Sequence, residues 1–272
     1  MKNILIRIYY LLKYIKNDLL NFNSISVDWH PGRNNFGDIL NPLLISHLTN
    51  KKILNIRSYY YYKEHLLAIG SIIDRATKKS VIWGSGYISE KSKFISKPKK
   101  ILSVRGPLTR MKLIEQGLDV PEVYGDPALL FPRFYKPKSK KKYSLGILPH
   151  WMDKESKYLK NINKDILIID IQNSNPLKVI DQIYSCENIA SSSLHGLIIS
   201  DAYKIPNVWI KLSDKLIGGT FKFRDYYQSI KHEINEPIII NEMISNKIIH
   251  DCSVKKCNLN LDKLIDAFPY KG

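Results

Sequence analysis

Glu187-Asn-Ile-Ala-Ser-Ser-Ser-Leu-His-Gly-Leu-Ile-Ile-Ser-Asp-Ala-Tyr-Lys-Ile-Pro-Asn-Val-Trp-Ile210 reads as a strand end, a hydroxyl-rich turn, a helix, a short loop and a second strand. Ser191, Ser192 and Ser193 carry oxygens that accept from the free N–H groups of a helix start. Leu194, Leu197, Ile198, Ala202 and Ile205 then recur at helical spacing, Pro206 ends the run, and Val208–Ile210 resumes as a buried strand. His195 therefore falls in the first turn of a helix that follows a strand. Open α/β sheets bind ligands there, and the free amides and helix dipole suit an anion. A helix start with a surface histidine beside it fits the same residues.

The rest of the chain repeats this alternation. Strands are expected at Ile25–Trp29, Ile53–Arg57, Leu66–Ile69, Val81–Trp83, Ile101–Val104, Tyr143–Leu148, Ile166–Ile171 and Pro237–Ile240, with a strand and turn over Val123–Leu130. Helices are expected at Ile39–Leu48, Leu108–Gln116, Pro176–Tyr184 and Leu261–Phe268, and after the glycine pair that opens Gly218–Ile230. The implied fold class is α/β, with two Rossmann-like parallel-sheet domains facing a cleft. Arg133–Lys142 is polar, charged and proline-containing, which places the boundary between domains 1–135 and 136–272. The four tyrosines at Tyr59–Tyr62 suit a sugar-binding surface, an edge strand or an interface.

Chemistry gathers at the expected strand ends. The loop His30–Asp38 brings Gly37 and Asp38 to a helix start, where Asp38 serves equally well as a plain cap. Gly84-Ser85-Gly86 is a candidate phosphate cradle, although no GxGxxG or Walker pattern is present. Arg105 precedes a helix N-terminus, and a guanidinium there can grip a carboxylate or phosphate with two parallel bonds. Asp126 sits at a turn, His150 at a strand end and Lys222 in a basic-aromatic helix. In a two-domain arrangement, Arg105, Gly84–Gly86 and Asp38 line one side of the cleft. His150, Ser193, His195 and Lys222 line the other.

Forty-two Lys and Arg against 25 Asp and Glu give a net charge of +17. Such a balance suits a polyanion, an anionic membrane surface or an anionic small substrate, and AT-rich codons supply the same residues. No helix-turn-helix, RRM or zinc-finger pattern accompanies the charge, so nucleic acid is not an expected partner. Three cysteines without a CxxC predict neither a disulfide framework nor a zinc site, and they suit a reducing cytoplasm. Ile4–Leu20 is apolar, but Arg7, Lys13, Lys16 and Asp18 interrupt it too often for a membrane span. It lacks a small-residue cleavage site, so no signal peptide is expected. As a basic amphipathic helix it can lie on the inner face of an anionic membrane or pack on its own domain.

Asn35-Phe-Gly-Asp-Ile-Leu40, Trp83-Gly-Ser-Gly86, Val104-Arg-Gly-Pro-Leu-Thr-Arg110, Gly125-Asp-Pro-Ala-Leu-Leu130, Leu148-Pro-His-Trp151 and Ser191-Ser-Ser-Leu-His-Gly196 resemble, in order, motifs of the polysaccharide pyruvyl transferase family. The resemblance implies a GT-B-like fold and transfer of a pyruvyl group from phosphoenolpyruvate to two sugar hydroxyls as a cyclic ketal. It also implies a capsular, exopolysaccharide or cell-wall acceptor, free or lipid-linked, and neither cofactor nor metal. Many members have Arg-Leu-His where this chain has Ser193-Leu194-His195, which leaves Arg105, Lys222 or Arg224 to hold the donor's second anionic group. The residues expected to act are His195, His150 and Arg105. Asn35, Gly37, Asp38, Gly84, Ser85, Gly86, Asp126, Ser192, Ser193 and Lys222 are expected to bind substrate. A nucleotide-sugar glycosyltransferase shares this fold and acceptor class, and a basic nucleic-acid-binding protein is the third reading.

Overall fold

Ser24–Val27 (β1), Lys52–Asn55 (β2), His65–Leu67 (β3), Ser80–Trp83 (β4) and Lys100–Ser103 (β5) pair in parallel in the order β2-β1-β3-β4-β5. Tyr143–Leu148 (β6), Ile166–Ile168 (β7), Cys186–Ser191 (β8), Asn207–Lys211 (β9) and Ile238–Ile239 (β10) form a second parallel sheet, β10-β9-β8-β6-β7. The helices are Lys2–Leu20 (α1), Phe36–Thr49 (α2), Pro107–Glu115 (α3), Pro176–Tyr184 (α4), Leu194–Ala202 (α5), Phe221–Ser229 (α6) and Leu261–Asp266 (α7). The computed structural model describes residues 2–270 except 21–22, 31, 33–34, 60–61 and 234–235. Two five-stranded parallel sheets with intervening helices make this an α/β protein of the Rossmann-like type read from the alternation. β4 is buried along its whole length, as a parallel strand covered on both faces must be.

One apolar cluster runs through both halves. Val27, Leu66 and Trp83 of the first sheet join Leu148 and Trp209 of the second through Leu130, Phe131 and Leu197. Each such side chain contributes about 1.5–3 kcal/mol on burial. Helix α7 returns to the first half, where Trp83 Nε1 donates to the Leu264 carbonyl at 2.8 Å and the indole tilts against Phe268. Phe36 N donates to Ile171 O at 2.8 Å, which ties the start of α2 to the second half.

Several boundaries differ from expectation. Helix α2 begins at Phe36 rather than Ile39, so Gly37 and Asp38 lie inside its first turn. No strand forms over Val123–Leu130. Tyr124 only bridges Val104, and Pro127–Arg133 is a 3-10 helix. The reason is local: Asp126 Oδ1 accepts from Ala128 N at 3.0 Å, and Pro127 has no N–H to give a ladder. β7 stops at Ile168. Tyr59 closes a short 3-10 turn, while Tyr60 and Tyr61 of the tyrosine run lie outside the described residues. Among the described residues no helix is long and apolar enough to cross a membrane.

Candidate active site

A pocket of about 220 Å³ opens at the C-terminal ends of β1, β3, β6 and β8, where parallel sheets present loops and helix starts. His30 enters after β1, Ser71 after β3, His150 after β6, and Ser193 and His195 after β8. Asn35, Gly37 and Asp38 reach it from the start of α2, and Lys222 from α6. A second pocket of about 240 Å³, over Trp209, Leu212 and Leu216, holds none of these histidines.

His195 sits in the first turn of α5, as its spacing predicts. The serines do not cap that helix with their side chains. Ser191 Oγ instead accepts from Ser193 N at 3.0 Å and lies 2.9 Å from Ser193 O and 3.1 Å from Leu148 O, which closes the turn on itself. Ser192 is buried and its Oγ accepts from His150 N at 2.8 Å, so it positions the neighbouring histidine. His195 Nε2 faces Asp126 Oδ2 at 3.6 Å. The Nδ1 edge lies flush on Gly37, where a Cβ would come within 2.1 Å of that nitrogen. Only glycine permits this approach. Asp38 accepts from His30 N at 3.0 Å and from Asn35 Nδ2 at 2.8 Å, so it orders the loop beside the pocket.

His150 Nδ1 accepts from Met152 N at 3.4 Å, which puts the ring proton on Nε2. Burial, helped by the charge of Lys222, pushes its pKa down to about 4. The ring is therefore neutral near pH 7 and able to donate from Nε2. Lys222 is pushed down to about 8, first by burial and then by the Arg105 charge.

Arg105 is not at the pocket wall. It is fully buried, with Nε on Asp225 Oδ2 at 2.9 Å, Nη1 on Ser71 Oγ at 2.6 Å and Nη2 on Tyr87 O at 2.7 Å. Thr109 also donates to Asp225, through N at 2.8 Å and Oγ1 at 2.7 Å. The Arg105–Thr109 segment thus anchors α6, the helix that carries Lys222. Gly84-Ser85-Gly86 likewise does not line the pocket. A Cβ on Gly86 would strike the Arg105 guanidinium at 2.4 Å, Ser85 Oγ donates to Gly70 O at 2.8 Å, and Gly84 packs on Pro127. The turn receives a guanidinium rather than offering a free phosphate cradle. Asp126 is buried behind His195 rather than open to the pocket. Arg224 pairs with Glu90.

Sequence reasoning missed Arg75, Ser71 and His30. Arg75 lines the pocket while its Nη1 donates to the buried Asp28 at 3.2 Å. Its signal was Gly70-Ser71-Ile-Ile-Asp-Arg75, a strand-end glycine turn with an arginine about one helical turn later. Asn41 was also missed. Its amide exchanges two 2.9 Å bonds with Ile69 and holds that turn in place.

An uncharacterised protein of Acanthamoeba polyphaga mimivirus is 32% identical over 200 residues, which is 71% of this chain and 69% of that protein. The succinoglycan biosynthesis protein ExoV of Rhizobium meliloti is 32% identical over 214 residues, 74% of this chain and 63% of ExoV. A functionally uncharacterised protein of Klebsiella pneumoniae, solved by crystallography, aligns over 84% of this chain and 98% of its own at 12% identity and a TM-score of 0.46. The polysaccharide pyruvyl transferase family model matches residues 3–214, and the chain belongs to that family.

Proposed function

We propose that the protein moves the pyruvyl group of phosphoenolpyruvate onto two hydroxyls of a sugar, forming a cyclic ketal and releasing phosphate. The observation that carries this reading is the convergence of Lys222, Arg75, His30, His150 and His195 on one pocket at the strand ends of both sheets. Phosphoenolpyruvate bears a phosphate and a carboxylate, and this wall offers two cations and a neutral imidazole donor. The acceptor is a glycan destined for a polysaccharide, free or lipid-linked. The family and the role in ExoV's name, succinoglycan biosynthesis, support that choice. The work is done in the cytoplasm, and the reaction needs no cofactor.

A proton adds to the methylene carbon and makes the methyl group. The first sugar oxygen bonds to C2 as its proton leaves. The bond from C2 to the phosphate oxygen breaks, and the phosphate departs with a proton on that oxygen. The second sugar oxygen then closes the ring on C2 as its own proton leaves, so the two hydroxyl protons equal those taken up by the methylene carbon and the phosphate. His195, backed by Asp126, moves the proton, and Lys222, Arg75 and the His150 Nε2–H hold the anionic groups. Titration calorimetry tests the donor. Phosphoenolpyruvate should bind to the wild-type protein, and Lys222→Met should weaken that binding. A protein that binds UDP-sugars and ignores phosphoenolpyruvate would be a glycosyltransferase.

A further inference from the structure

Among its described side chains, helix α1 leaves an apolar stripe in the open. At 100° per residue, Ile4, Leu5, Ile8, Leu11, Leu12 and Ile15 fall within about 120° of the helix circumference. All six are exposed, with Ile4, Leu5 and Leu12 each more than 60% accessible. Helix α1 meets the Ile56–Tyr59 turn of its own domain, but these six side chains remain exposed. Apolar area of this size is seldom left in water without an occupant.

Charge identifies the occupant. Lys2, Arg7, Lys13 and Lys16 against Asp18 give the helix a net charge of +3. A second copy would bring a +3 helix against another, on chains of net charge +17 each, the helix included. An anionic lipid surface instead takes the stripe among its acyl chains and the lysines among its headgroups. We infer that α1 is an amphipathic anchor that seats the protein on an anionic membrane. The inference is independent of the reaction.

Sedimentation of the full chain with vesicles tests it, using equal parts phosphatidylglycerol and phosphatidylcholine beside phosphatidylcholine alone. The protein should pellet with the anionic vesicles at low salt and leave them in part at high salt. The double variant Ile8→Glu, Leu12→Glu should lose about tenfold or more of that affinity. Circular dichroism should give it the wild-type thermal midpoint. Wild-type binding by a folded double variant would mean that only the basic body is attracted, and would overturn the anchor. Absence of binding to anionic vesicles would overturn it too, as would a dimer in light scattering that the same substitutions dissolve.

Discussion

Nε2 of His195 and Oδ2 of Asp126 face each other at 3.6 Å, both buried, and neither has a hydrogen-bond partner among the described residues. A shift of a few tenths of an ångström makes the bond, and catalytic hydrogen bonds commonly tighten when substrate binds. In the proposed reaction, Nε2–H held by the carboxylate would leave Nδ1, on the Gly37 side, as the nitrogen that exchanges a proton. His195→Ala should lower kcat by about 10²–10⁴-fold with little change in thermal midpoint. His195→Gln should lose as much, because it donates but does not titrate. Asp126→Asn should lower kcat less and alter the pH profile. High activity in the Gln variant would assign His195 to phosphate binding instead.

Gly37→Ala tests the same geometry while leaving the chemistry of both groups unchanged. The added methyl would meet Nδ1 at 2.1 Å, so the ring must move. Overpacking of this kind costs about 1–3 kcal/mol. The variant should stay folded while kcat falls toward the His195→Ala level, measured by phosphate release and calorimetry. Wild-type turnover would show that the ring's position is not critical.

If Lys222 holds the donor, it should set a pH limit. Its pKa of about 8 means that the charge is present below that pH and lost above it, while the donor keeps its negative charges. The donor KM should rise with pH above about 8, with kcat changing less. Lys222→Arg keeps its charge and should flatten that rise. A donor KM that stays flat to pH 10 in the wild type would remove Lys222 from the site.

Arg105 has a scaffold role that its position in the chain conceals. Arg105→Met leaves the buried carboxylate of Asp225 unpaired, a loss of about 3–5 kcal/mol that urea unfolding should register. Lys222→Met removes a charge from a desolvated place and should leave stability unchanged or raise it. A fully stable Arg105→Met with only donor affinity lost would return Arg105 to the binding site.

What was legible follows from how local each signal is. β6 and α4 match their expected bounds, Tyr143–Leu148 and Pro176–Tyr184, because a short apolar-rich run and a proline start are short-range features. His150, Ser193, His195, Gly37, Asp38 and Lys222 reach one pocket because strand ends in parallel sheets point the same way. Arg105 shares the strand-end address, but its partner Asp225 lies 120 residues away and cancels the charge. Arg75 and His30 depend on the order β2-β1-β3, which no periodicity encodes. The glycines of the motifs look alike in sequence. One admits His195 and another admits Arg105, and only packing separates them.

The most direct measurement is mass spectrometry of a candidate acceptor glycan after incubation with the protein and phosphoenolpyruvate. The expected product is heavier by pyruvate less water, with one phosphate released per ketal, and His195→Ala should form it far more slowly. A glycan that gains a hexose from a nucleotide sugar, or one that stays unchanged with phosphoenolpyruvate across acceptors bearing suitably placed hydroxyl pairs, would contradict pyruvyl transfer.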